Sequence, residues 1–252
     1  MNYWQQQSRA LAAAFIASGG TLTATLALKA LTEYLPDADA RTIDVGGGDG
    51  RMAIALARLG HRVKLVDTDP AMIAAARRAL EALPSEISAR VDLIAGTGEE
   101  AAAHGVGYNL VCCHSVIMYE AEPASLIAAL AALARPGGAV SVIGVNPAAL
   151  AMRPGLQGRW AEAVETLACG EKSSARYAAS VDHSRETVTA LFERHGLSLL
   201  GWRGIGIFTD HLEGPVEAEE PGHVVEAEWL AGARDPYRQV ARCYHLIARK
   251  ID

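Results

Sequence analysis

Apolar residues recur at helical spacing from Arg9 to Tyr34, broken once at Ser18-Gly19-Gly20, and this period predicts two helices ahead of any strand. Beyond them, short apolar runs alternate with amphipathic segments. The spacing predicts a first strand over 42–45, a helix over 50–59 closed by Gly60, and a second strand over 62–66. Asp69-Pro70 is a capping residue followed by proline at the first helical position, and opens a helix reaching residue 83 before Pro84. Third and fourth strands follow at 91–95 and 108–113. A helix opened by Pro123 runs to 134, and Pro136-Gly137-Gly138 reads as a turn into a fifth strand over 139–145. Such alternation predicts a parallel sheet covered on both faces. The rhythm then changes. Helices over 156–169 and 185–195 precede two long strands, 197–208 and 240–249, expected to pair antiparallel at the sheet edge, with a short helix near 224–232 between them. The expected fold is α/β: a seven-stranded, doubly wound, Rossmann-like sheet, with an N-terminal helical cap over 1–40 and a main domain over 41–252 that carries insertions after strands five and six.

With 252 residues, half of them hydrophobic, the chain can bury one sizeable core. Its longest apolar stretches, such as 10–17, are too short and too alanine-rich to span a bilayer, and no secretion signal is evident, so the expectation is a cytoplasmic protein with no membrane partner, monomeric or homodimeric. Cys112, Cys113, Cys169 and Cys243 lack C-x-x-C spacing and read as buried thiols, with no metal site. The net charge of -6 argues against a polyanionic partner, because Lys and Arg contacts to phosphate supply most non-specific nucleic-acid affinity. Residues 213–228 carry Glu213, Glu217, Glu219, Glu220, Glu226 and Glu228 with no Lys or Arg, and read as a solvated acidic loop.

The chemistry is concentrated at Ile43-Asp44-Val45-Gly46-Gly47-Gly48-Asp49-Gly50, an apolar strand end followed by glycine at every second position. Gly46, Gly48 and Gly50 let the backbone turn sharply and approach a ligand closely. A second acid, Asp67, closes the next apolar run and is placed to bind a ribose diol across the strand ends. A dinucleotide loop needs G-x-G-x-x-G/A directly after the strand; counted from Gly46, the third position holds Arg51. The spacing fits instead the acid-x-G-x-G-x-G loop of class I methyltransferases, whose cofactor, S-adenosyl-L-methionine with S-adenosyl-L-homocysteine as product, carries no phosphate. Asp44 serves there either as an acceptor for the cofactor ammonium or as a brace for the loop.

From about residue 41 onward the chain resembles the bacterial tRNA 5-carboxymethoxyuridine methyltransferases. The resemblance rests on residues 44–50, on Leu110-Val111-Cys112-Cys113-His114, on Arg135-Pro136-Gly137-Gly138, on the segment from Gly204 to Leu212, and on Asp235-Pro236-Tyr237 through Arg242 and His245 to Lys250. It implies that Asp67 holds the ribose hydroxyls, that Thr68 and Met72 flank ribose and adenine, that Gly98 and Glu99 meet the adenine edge, and that His114 stands beside the methionine portion. Met72 as helix core, Thr68 as a helix cap and His114 as a satisfied strand-end histidine are the competing assignments. Three departures bear on substrate. The family's lysine-rich run is replaced by Gly170-Glu171-Lys172-Ser173-Ser174-Ala175-Arg176, an arginine of its G-x-R-x-F segment falls on Gly206, and its basic N-terminal segment is replaced by Ser18 to Thr23. Arg9, Thr21 and Thr23 are then the candidates for the cofactor carboxylate.

Methyl transfer from a sulfonium demands alignment above all, and a base is required only when the nucleophile is protonated. His211 is the first candidate for that base and His114 the second; Tyr119, His211, Tyr237 and Arg242 are candidate acceptor contacts, Arg242 for an acidic group. The expected function is methyl transfer to a small molecule, of the kind found in secondary metabolism. Modification of the tRNA wobble uridine and non-catalytic binding of the cofactor by a regulator are the alternatives.

Overall fold

In the computed structural model, residues 21–36, 38–169, 183–213 and 221–251 are described. The first expected helix with Arg9, the 170–176 stretch, and Glu217, Glu219 and Glu220 lie outside them.

Seven strands form one sheet in the order β3-β2-β1-β4-β5-β7-β6. β1 (Arg41–Val45), β2 (Arg62–Asp67), β3 (Val91–Ala95), β4 (Tyr108–His114) and β5 (Ala134–Val145) run parallel, while β7 (Cys243–Lys250) lies antiparallel between β5 and β6 (Leu197–Ile205). The central strands β1 and β4 are buried over most of their length, as cover on both faces requires. α1 (Leu22–Leu31), α2 (Arg51–Arg58) and α9 (Pro221–Ala231) contribute Leu26, Leu31, Leu56 and Val225 to a core on one face of the sheet, with Leu65, Leu110 and Ile143. α5 (Ala124–Leu133) and α8 (Arg185–Arg194) cover the other face, packing Ile127, Leu130, Val188 and Phe192 on Val111, Val142 and Leu246. α1 therefore belongs to the same core as the sheet. α3 (Pro70–Glu81) and α4 (Ser85–Ser88) join β2 to β3, and α6 (Met152–Leu156) and α7 (Trp160–Cys169) follow β5. No helix among the described residues is long and apolar enough to cross a membrane.

Several boundaries differ from the periodicity. Pro136-Gly137-Gly138 is not a turn ahead of β5. The strand starts at Ala134, opposite Tyr108, and these residues form a bulge in it, with Gly137 at φ 70° and Gly138 so close to the Tyr108 carbonyl that a Cβ would lie 2.7 Å from it. The expected 156–169 helix begins only at Trp160, after Gly158 with φ 71°, and residue 156 instead ends the separate short helix α6. The strand expected to reach residue 208 ends at Ile205, because Gly206 turns with φ 75°. The last strand begins at Cys243, since Tyr237–Val240 form a single 3₁₀ turn.

The acidic stretch is also corrected. Glu228 is 1% exposed and not solvated: its carboxylate accepts the N–H groups of Ile207 (2.9 Å), Phe208 (2.9 Å) and Thr209 (3.1 Å) and the Thr209 hydroxyl (2.8 Å). Glu226 pairs with Lys29 at 3.3 Å, joining α9 to α1. A carboxylate with four donors is a sound way to bury a charge.

Candidate functional site

Two loops meet at the carboxyl ends of β1 and β2. Gly46 donates to the Val66 carbonyl at 2.7 Å, and Gly50, at φ 85°, closes the turn and starts α2. Gly46 has no room for a side chain: a Cβ there would lie 2.2 Å from the Val116 side chain, which follows β4. Around Gly48, in contrast, an added Cβ meets nothing within 4 Å, so this backbone faces open space. Asp67 joins the two loops, with Oδ2 accepting Gly48 N–H at 2.8 Å and Oδ1 accepting Asp69 N–H at 2.9 Å. Each oxygen keeps a further lone pair.

Thr68 and Met72 lie beside Asp67 on the exposed side. Met72, 38% exposed, is not helix core, and the cap of α3 is Asp69, whose carboxylate accepts Ala71 N–H at 2.7 Å, rather than Thr68. Gly98 is buried against Val45 and Leu126, and Glu99 is exposed beside it. Thr97 and Glu100 bracket these two residues in a reciprocal capping box, visible as T-x-x-E in the sequence yet not anticipated. Thr21 caps α1, its hydroxyl oxygen accepting Ala24 N–H at 3.2 Å.

Asp44 is 2% exposed and its Oδ2 has no hydrogen-bond partner among the described residues. Burial, reinforced by the charge of Asp67, pushes its pKa up to about 7 from an ordinary 3.8. Between about pH 4 and pH 7 the folded chain keeps a proton that the unfolded chain has released, so stability falls as pH rises through this window and is level above it. A shift of this size corresponds to a few kcal/mol, at ~1.4 kcal/mol per unit. Asp44→Asn, which has no charge to bury, should melt near wild type at about pH 4 and several degrees above it at about pH 8. Thermal unfolding of the apoprotein across that range checks this; a gap independent of pH would count against it.

His114 ends β4 with Nε2 2.8 Å from the Ser141 hydroxyl, and burial lowers its pKa to about 4. That ring is neutral near pH 7 and a poor proton acceptor, which weighs against it as the base. Tyr119, 60% exposed, stands in the turn after β4.

The remaining candidates gather around the loop after β6. Phe208 and Tyr237 make an edge-on ring contact at 6.2 Å, both partly exposed. Asp210 Oδ1 lies 3.9 Å from Nε of Arg242 and 3.7 Å from a terminal nitrogen of Arg153 on α6. Neither contact is short enough for a direct hydrogen bond. Arg153 Nε and His211 Nδ1 are enclosed without partners among the described residues, while the His211 carbonyl accepts from the Gln157 side chain at 2.7 Å. The structure thus brings His211, Tyr237 and Arg242 to one loop cluster, and adds Arg153 and Asp210. Asp210 lay inside a segment already singled out; Arg153 follows an irregular turn and carried no signal.

Residues 43–140 match a family model described as a methyltransferase domain. The chain is 28% identical to the tRNA 5-carboxymethoxyuridine methyltransferase of Escherichia coli K12, over 83% of this chain and 80% of that protein. It is 34% identical to a ubiquinone biosynthesis O-methyltransferase of Xanthomonas axonopodis pv. citri strain 306, over 50% of this chain and 52% of that one. Among solved structures, magnesium protoporphyrin IX methyltransferase from Synechocystis PCC 6803 with bound SAH superposes with a TM-score of 0.53 at 17% identity, covering 98% of this chain and 83% of that one. That likeness is one of fold.

Proposed function

Because the chain is a class I methyltransferase dependent on S-adenosylmethionine, we propose that it methylates a small molecule bearing an acidic group, held between Arg153 and Arg242. The observation that supports this is the charge count at Asp210: two guanidinium groups face one carboxylate beyond hydrogen-bond distance, and enclosed nitrogens of Arg153 and His211 have no hydrogen-bond partner among the described residues. A carboxylate or similar anion fits such a donor-rich place.

The chain's residues fit the cofactor. Asp67 offers its free lone pairs to the ribose hydroxyls, and Thr68 and Met72 flank ribose and adenine. Gly98 and Glu99 would meet the adenine edge, and the Gly46–Gly50 backbone would hold the methionine portion, with nothing obstructing Gly48. Asp44, with an unpartnered oxygen, is the acceptor for the ammonium. The cofactor when bound supplies an electrophilic methyl carbon. The protein's part is to hold the nucleophile in line with it and dry, and positioning of this kind lowers barriers by on the order of 7 to 11 kcal/mol. Tyr119, Phe208 and Tyr237 supply the apolar walls. A carboxylate nucleophile gives up no proton; for a phenol or amine, His211 Nδ1 is the proton acceptor.

A mass-spectrometric screen of acidic acceptors tests this reading. Arg242→Ala should raise the acceptor KM about tenfold or more, consistent with loss of a charge-assisted contact of ~1.5–3 kcal/mol, and leave cofactor affinity within a few-fold of wild type. Loss of cofactor binding would move Arg242 to the cofactor side.

Modification of the tRNA wobble uridine is the second reading, supported by the extent of the likeness to the Escherichia coli tRNA enzyme. Against it stand the net charge of -6 and the missing lysine run. Filter binding over a salt series separates the two: the small-molecule reading expects no tight, salt-sensitive binding of bulk tRNA, and a steep salt slope at sub-micromolar affinity would reverse the order.

A further inference from the structure

A polar row crosses the face of the sheet that α1, α2 and α9 cover. Ser141 on β5, fully buried, has its hydroxyl 2.8 Å from His114 Nε2 on β4 and 2.7 Å from His245 Nε2 on β7. The two rings meet edge-on with centroids 5.6 Å apart. His245 is itself 1% exposed and stands opposite Arg203 of β6 in the strand register.

The hydroxyl has one proton and two lone pairs, and its hydrogen-bond partners among the described residues are the two imidazole nitrogens, so with its proton satisfied Ser141 donates to one imidazole and accepts from the other. The row therefore has two polarities. In the first, Ser141 donates to His245, and His114 keeps its proton on Nε2. In the second, His245 donates from Nε2, Ser141 donates to His114, and the His114 proton sits on Nδ1. Burial keeps both rings neutral near pH 7, so the choice is between tautomers.

Arg203 decides between them. Arg203 and His245 line the same small cavity of about 140 Å³, with Glu33 and Tyr34. The guanidinium is fixed in place by stacking 3.6 Å over the Trp229 ring, and its positive charge acts on His245. Glu33 lies 4.0 Å from Arg203 with its side chain 52% exposed, where solvent screens it. A cation on this side favours a bare Nδ1 on His245, and with it a proton on His245 Nε2. That selects the second polarity.

We propose that Ser141 and His245 are positioning residues that lock His114 in the tautomer protonated at Nδ1, so that it serves the transfer cleft as a hydrogen-bond donor and not as a base. The role in transfer rests on the reading of the strand ends as the methyl-transfer site; the tautomer does not.

The test is a long-range proton–nitrogen correlation spectrum of the full chain labelled with [¹⁵N]histidine, with His114 assigned by the signals lost in His114→Gln. Near pH 7 the expected His114 pattern is a protonated Nδ1 and a bare Nε2. A protonated Nε2, a charged ring or an averaged pattern in the wild type overturns the proposal. Ser141→Ala should then average the two tautomers and lower kcat roughly tenfold, the usual scale for losing a supporting hydrogen bond, with the cofactor KM within about twofold. Ser141→Thr, which restores the hydroxyl, should recover both. Averaged tautomers with unchanged kcat overturn the positioning role. The spectrum needs no acceptor, so the expected spectrum beside a failed acceptor screen counts against the proposed function and upholds the tautomer.

Discussion

Asp67→Ala should lower the affinity for S-adenosylhomocysteine by about two to four orders of magnitude. A carboxylate that receives two ribose hydroxyls makes two charge-assisted hydrogen bonds of ~1.5–3 kcal/mol each, and every ~1.4 kcal/mol is tenfold in binding. The same side chain is already bonded to Gly48 N–H and Asp69 N–H, so its removal also frees the glycine loop from the β2–α3 loop before any ligand arrives. Asp67→Asn recovers little, because its NH2 group accepts no hydrogen bond, leaving one of the two backbone N–H groups and one ribose hydroxyl without their acceptor. Isothermal calorimetry with wild type and both variants measures the effect. Equal binding by all three, or tighter binding of NAD than of the sulfur cofactors, would remove Asp67 from the cofactor site.

The second large effect is on stability. Glu228→Ala should lower Tm by about 10 °C, since it strands the N–H groups of Ile207, Phe208 and Thr209. An unsatisfied buried donor costs ~1–3 kcal/mol. Water entering the vacated space offsets part of the sum, and about 3–5 kcal/mol remains. For a domain of this size ~1 kcal/mol moves Tm by about 2–4 °C. The loop released carries Asp210 and His211, so acceptor turnover should fall together with stability. Differential scanning calorimetry of Glu228→Ala and Glu228→Gln decides it; a shift under about 2 °C in both would mean that the loop holds itself.

The glycine loop, Asp67 and the alternation of strand and helix were legible because each leaves a local mark: glycine where the backbone must turn, an acid at a strand end, apolar runs for doubly buried strands. Residues whose partners come from distant elements left none. Glu228 reads as one acid among six in an acidic stretch, and its burial is set by a loop about 20 residues earlier in the chain. Ser141 is a small polar residue in an apolar strand, and only the pairing of β4, β5 and β7 puts it between two histidines. Arg153 is invisible for a similar reason, since its meaning depends on Asp210, brought near by the chain beyond β6. The Pro136–Gly138 bulge is hidden for another reason: turn residues also build bulges, and composition alone does not separate the two.

The place of β7 in the strand order bears on how the chain is made. Among the described residues β6 hydrogen-bonds to β7 and to no other strand, while β7 fills the gap beside β5. On the ribosome the five parallel strands can assemble as they emerge, but β5 must wait with an open edge, and β6 has no sheet to join, until residues 243–250 are released. During that interval the nascent chain displays a long apolar strand edge of the kind that pairs with other chains. β7 thus closes the sheet, and its arrival brings His245 into the polar row, with Arg242 just ahead of it beside Asp210.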